Sequence, residues 1–88
     1  MFRMELRDIA REINRTVGNE LRAARARRGL TRPRLAAASG LAVSTIQRFE
    51  NGERSPDLLQ LHALCDALGI SPQEIVAKTQ ELVERHRR

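Results

Sequence analysis

The chain has 88 residues, room for one domain with a single packed core. Its net charge is +5 and its only aromatics are Phe2 and Phe49, so the core must be aliphatic, and RNA-binding modules that stack bases on aromatic rings are excluded. A lone Cys65 excludes a disulfide framework, and the longest apolar run is far too short to span a membrane.

No segment alternates apolar and polar residues at period 2, so the expected fold is all-α, a compact bundle of five to six helices. The first helix is expected over 2–15, where Phe2, Leu6, Ile9 and Ile13 share one face, running into or kinking near Gly18. A second covers 17–28, with Val17, Leu21 and Ala24 inward and Gly29 just past its end. Thr31 is a good N-cap for a third helix, 32–39, with Pro33 in its first turn and Gly40 ending it. A fourth, about 43–51, turns Ile46 and Phe49 inward and stops at Asn51-Gly52. Ser55-Pro56 reads as N-cap and first position of a fifth, about 56–68, striped by Leu58, Leu61, Leu64, Cys65 and Leu68. Ser71-Pro72-Gln73-Glu74 is a capping box that opens a last helix over 72–87. Residues 1–88 therefore form one domain, with 1–15 an N-terminal extension helix and 72–87 a C-terminal one.

The charge is unevenly spread. Residues 1–16 carry +1, residues 17–54 carry +5 and residues 55–88 carry −1. Fifteen of the 16 basic residues are Arg, which can grip phosphate and guanine with two parallel hydrogen bonds where Lys cannot. High genomic GC content would also raise Arg over Lys, but it would not gather the excess in the middle of the chain.

Helices 32–39 and 43–51 are joined only by Gly40-Leu41-Ala42. So short a turn forces a steep crossing, the helix-turn-helix arrangement, which offers its second helix to a major groove. Here the sequence resembles the lambda-repressor-like, or Xre-type, helix-turn-helix family. The resemblance runs from Val17 to about Val76. It is carried by Val17-Gly18 with Leu21-Arg22, Arg28-Gly29-Leu30-Thr31, Leu35-Ala36, Gly40, Ser44-Thr45-Ile46, Glu50-Asn51-Gly52, Pro56 and Ala67-Leu68-Gly69-Ile70. It implies a domain that reads double-stranded DNA with helix 43–51, in a transcription regulator that acts as a repressor; the homodimer on a palindromic operator is the common solution for this motif and is expected here.

The family's base-reading positions fall on Val43, Ser44, Gln47 and Arg48. Arg48 can pair with guanine O6 and N7, Gln47 with adenine N6 and N7, and Val43 can touch a thymine methyl. Arg28, Thr31, Arg32, Arg34, Thr45, Asn51 and Arg54 are the candidate phosphate contacts. Arg32 and Arg34 depart from the family, which often has Gln and Glu there. Two cations in a helix's first turn oppose its dipole, so an anion is expected to bind between them. Ala42 stands where a Ser or Thr cap is usual; either the helix starts weakly or Ser44 takes the cap. Arg25, Arg27 and Arg28 could touch flanking phosphates, or, for Arg25 above all, simply suit a helix C-terminus.

The end helices have apolar faces that want a partner, either the chain's own core or a second copy. No nucleophile–base–orienter set is present, and His62 with Cys65 makes a poor metal site, so neither enzyme activity nor a cofactor or metal is expected. A cytoplasmic, nucleoid-associated protein fits this pattern. A second reading keeps DNA binding for autoregulation and gives the terminal helices a protein partner, as in an antitoxin. A third makes the chain a piece of a larger regulator.

Overall fold

Helical periodicity and well-placed stop signals leave little freedom in how this chain can be cut. In the computed structural model, which describes residues 5–87, it forms α1 (Leu6–Arg27), α2 (Arg32–Ser39), α3 (Val43–Glu50), α4 (Leu58–Leu68) and α5 (Pro72–Arg87). Phe2 and Arg3 of the expected N-terminal helix lie outside the described residues.

The two expected helices 2–15 and 17–28 are one. α1 runs 22 residues without a break, with Asp8 in its first turn and Arg25 and Arg27 in its last, the order that the helix dipole favours. Gly18 reads locally as a kink, yet it is a contact point. A Cβ at Gly18 would lie 2.2 Å from the Phe49 carbonyl oxygen and 3.1 Å from that of Glu50. The end of α3 therefore rests directly on the backbone of α1, and only glycine lets it come so near.

α2 is capped as expected. The Thr31 hydroxyl accepts from the Arg34 N–H at 3.2 Å, Pro33 sits in the first turn, and Gly40 ends the helix at φ 77°, a left-handed conformation costly for other residues. α4 departs from expectation. Its cap is Asp57, not Ser55: Asp57 Oδ1 accepts from the Gln60 N–H at 2.8 Å while Gln60 Oε1 accepts from the Asp57 N–H at 3.0 Å. Pro56 thus precedes the cap, and the helix starts two residues later. At α5 the expected Ser71–Glu74 box is replaced by a local one, in which the Ser71 hydroxyl accepts from the Gln73 N–H at 3.2 Å and also bonds the Gln73 side chain.

The core gathers Val17, Leu21 and Ala24 of α1, Leu35 of α2, Ile46 and Phe49 of α3, Leu61, Leu64, Cys65 and Leu68 of α4, and Ile75 of α5. Phe49 and Leu35 are fully buried, and α2 and α3 both pack on this nucleus, so the turn between them is held from beneath. Cys65 is a small buried core residue, its thiol pushed up by burial and further by Glu74.

The ends of the chain pair with each other. α1 and α5 pack together, Ile9 and Leu82 are both buried, and His86 Nε2 lies 3.0 Å from Glu12 Oε2. That oxygen is buried and the geometry is not that of a hydrogen bond, so the contact is one of charge when the imidazole is protonated. The apolar faces of the two end helices thus meet within one chain. Among the described residues, no helix is long and apolar enough to cross a membrane.

Candidate nucleic-acid interface

α3 is divided sharply between two sides. Ile46, Phe49 and Glu50 are buried, while Val43, Ser44, Gln47 and Arg48 are all exposed and Thr45 is half-buried. The four expected base-reading residues therefore share the outward surface of one short helix. Ala42 is its N-cap and supplies no side-chain hydrogen bond; Ser44 lies inside the first turn and does not replace it. The Thr45 and Ile46 N–H groups both donate to the Ala42 carbonyl at 3.1 Å, so backbone alone closes that turn.

The C-terminal end of α3 is held quite differently, and by a residue whose role was not foreseen. Glu50 is an acid at a core position, 2% exposed. Arg25 grips it with two hydrogen bonds, Nε to Oε2 at 2.6 Å and Nη2 to Oε1 at 2.9 Å. Arg32 donates from Nε to Oε1 at 2.9 Å. Arg22 adds its charge at 3.9 Å and donates from Nη2 to the Glu50 carbonyl at 2.9 Å, satisfying a backbone acceptor that the helix end leaves open. Arg25 also donates to the Leu30 carbonyl at 3.0 Å. One carboxylate thus ties the end of α3 to α1 and to the start of α2.

Burial pushes the Glu50 carboxyl up, but the hydrogen bonds from Arg25 and then Arg32 outweigh it and hold the group below the ordinary glutamate range. The Arg25 guanidinium, hydrogen-bonded to Glu50, is raised in turn against its own partial desolvation. The site is built to stay ionised. Breaking such a pair from one side costs roughly 3–5 kcal/mol, because the remaining charge is left buried and unmatched.

This cluster changes two expectations. The anion between the first-turn arginines of α2 is internal for Arg32, which turns to Glu50, while Arg34 stays exposed. Arg25 is a structural partner of α3, beyond any service to the dipole of α1. The signal was present in the sequence: Glu50 lies four residues after Ile46 and beside Phe49, on the face that must be buried, and a buried acid demands cations.

The other candidate phosphate contacts are dispersed. Asn51 is the C-cap of α3, exposed, with Oδ1 3.5 Å from Arg22 Nη2. Arg54 is exposed and holds its guanidinium carbon 5.3 Å from the centre of the Phe49 ring, a cation–π distance. Thr31 already uses its hydroxyl as a cap. Arg28 lies across Gly69, where an added Cβ would meet its Nη1 at 2.6 Å, so it belongs to the α4–α5 corner. Among the described residues, no three His, Cys, Asp or Glu side chains are grouped to hold a metal ion.

Known proteins share this arrangement. The family described as "Helix-turn-helix domain" matches residues 16–77. An HTH-type transcriptional regulator of Sinorhizobium fredii, y4dJ, is 33% identical over 70 residues, spanning 80% of this chain and 91% of that protein. The crystal structure of the clp gene regulator ClgR from C. glutamicum superposes with a TM-score of 0.71 at 28% identity, covering 78% of this chain and 90% of that one. The restriction-modification controller protein C.AhdI from Aeromonas hydrophila gives 0.68 at 35% identity, covering 70% and 94%.

Proposed function

Since this chain belongs to the helix-turn-helix domain family and is a DNA-binding transcription regulator, we propose that it represses transcription by laying α3 in the major groove of an operator. The observation that carries the assignment is the exposed row of Val43, Ser44, Gln47 and Arg48 on a helix clamped from behind through Glu50. Arg48 reads guanine, Gln47 reads adenine, and Val43 and Ser44 meet the bases nearest the start of the helix. Arg34, Asn51 and Arg54 hold flanking phosphates, with Thr45 at the edge of the groove. Thr31 and the free end of the Arg32 guanidinium complete that set at the start of α2, with the exposed Arg28 beside the α4–α5 corner.

The functional unit is a homodimer on a two-fold site. The end helices cover each other only in part, leaving an apolar groove lined by Ile13, Pro56, Leu61, Ile75 and Val76. Leu58 and Leu59, 75% and 80% exposed, open α4, the helix that also supplies Leu61 to that groove, and are assigned to the contact. An antitoxin-like protein partner would use what the end helices leave exposed, Leu6 on α1 and Val76 on α5. The protein works in the cytoplasm, on the nucleoid, without catalysis or cofactor.

A gel-shift series tests the reading. Gln47→Ala and Arg48→Ala should each lower the preference for the cognate site by about 1–3 kcal/mol while leaving non-specific binding in place. Selectivity unchanged in both variants would sink the assignment of α3. Light scattering should give twice the chain mass, falling to one in a Leu58→Ser/Leu59→Ser variant; a monomeric wild type at micromolar concentration removes the dimer.

A further inference from the structure

We propose that α1 carries a second phosphate-binding surface, a ridge of Arg11, Arg15 and Arg22 that extends the DNA contact beyond the groove read by α3. The proposal rests on the DNA-binding reading above and adds a strand of backbone to it.

The ridge follows from spacing. Arg11, Arg15 and Arg22 are four and seven residues apart, which puts them within about 40° of one another around a helix and along roughly 16 Å of its length. Gly18 falls on the same stripe, and it is at Gly18 that the end of α3 rests on α1. The stripe is therefore placed against the reading helix by the fold.

The segment after α3 continues this contact. Arg22 donates to the Glu50 carbonyl at 2.9 Å and reaches Asn51 at 3.5 Å. A Cβ on Gly52 would lie 3.3 Å from the Arg15 Cα, and Ser55 bonds Asn14 at 2.5 Å. Residues 51–55 thus run back along α1, from Arg22 toward its N-terminal half. A phosphate backbone that passes Asn51 and Arg54 meets the ridge next.

The charges on this face are unusual for a solvated helix. Surface helices generally offset a cation with an acid one turn away. Here Asp8 and Glu12 stand three positions before Arg11 and Arg15, but the residues four positions either side of Arg15 are Arg11 and Asn19, and those of Arg22 are Gly18 and Ala26. Arg11 and Arg15 repel each other at i,i+4, a cost that a bound anion would remove. The nearby acids are engaged or turned away. Glu12 lies against His86, and Glu20 is half a turn round the helix from Arg11. Asp8 is 3.8 Å from Arg11, whose side chain is mostly exposed, in a long surface pair too weak to neutralise the site. Arg7, on the same line, is paired with Glu5 at 3.0 Å and is not counted in the ridge.

The test is the salt dependence of binding by the full chain, on its selected operator and on an unrelated duplex of equal length. Arg11 and Arg15 are both replaced by Gln; Arg22 stays because it caps α3. Each lost phosphate contact should flatten the slope of log K against log salt by about 0.9, so the double variant should lose up to about 1.8 per protomer, or about 3.6 for the dimer. Affinity should fall by the same factor on both duplexes, and the hydroxyl-radical footprint should shorten at both flanks. An unchanged slope and footprint would overturn the ridge, and if Gln47→Ala and Arg48→Ala still abolish selectivity, the reading of α3 survives that loss. A wild type without selectivity whose slope nonetheless flattens in the double variant would have the opposite meaning: the ridge holds and the operator reading fails. Equal thermal midpoints for wild type and double variant show that the fold is intact.

Discussion

The first turn of α3 is closed by backbone alone over an uncapped Ala42, whereas its last turn is pinned by a buried carboxylate, two hydrogen-bonded arginines and a glycine contact. One end is left soft and the other is fixed to two other helices. The difference separates two tasks. The fixed end sets where α3 stands relative to α1 and α2. The end without a side-chain cap carries Val43 and Ser44. In the proposed reading, the fixed end sets the position from which Val43, Ser44, Gln47 and Arg48 are presented.

The largest way to break this contrast is Glu50→Ala. It strands Arg25 beside the core and should cost about 3–5 kcal/mol in urea denaturation, a large part of what a domain of this size possesses. Gly18→Ala comes next. Its Cβ would overlap the Phe49 carbonyl oxygen, so α1 and α3 must move apart, at about 1–3 kcal/mol and with weaker DNA binding than stability alone explains.

Acid attacks the fixed end alone. Glu50 titrates lower in the folded chain than in the unfolded one, so the unfolded state binds more protons as pH falls. Its stabilisation is complete above the ordinary glutamate value, about 4.3, and is lost as pH drops through the lowered folded value. Wild type should therefore lose more stability than Glu50→Gln between neutral pH and about pH 3. Parallel curves would show that Glu50 is not the group responsible. The smallest effect is a gain: Ala42→Ser supplies the missing cap and should add about 0.5–1 kcal/mol. If stiffening the soft end also lowers operator affinity, adjustment there matters to binding.

Much of this was legible in the sequence, for reasons specific to each element. Thr31, Pro33 and Gly40 frame α2 by local chemistry, and Ile46 with Phe49 orients α3 by periodicity alone. The family resemblance is matched by the helix-turn-helix assignment of residues 16–77. The misread positions are those where a distant part of the chain decides. Gly18 has the look of a kink until the end of α3 is laid on it. Arg32 has the look of an exposed cation until Glu50 is found beneath it. Asp57 took the cap from Ser55 because Gln60 stood three residues on to complete the box, a local pattern overshadowed by the Ser-Pro signal. The mutual covering of α1 and α5 needed three dimensions, since each face alone resembles an interface.

Selection of binding sites from random DNA by the wild type and by Arg48→Ala probes the reading of α3 most directly. The wild type should enrich an inverted repeat with half-sites about one helical turn apart, 10–10.5 bp, or a multiple of it. The variant should lose preference at a single guanine in each half-site while keeping the others. An unenriched pool, or the same motif from both proteins, would contradict base reading through α3.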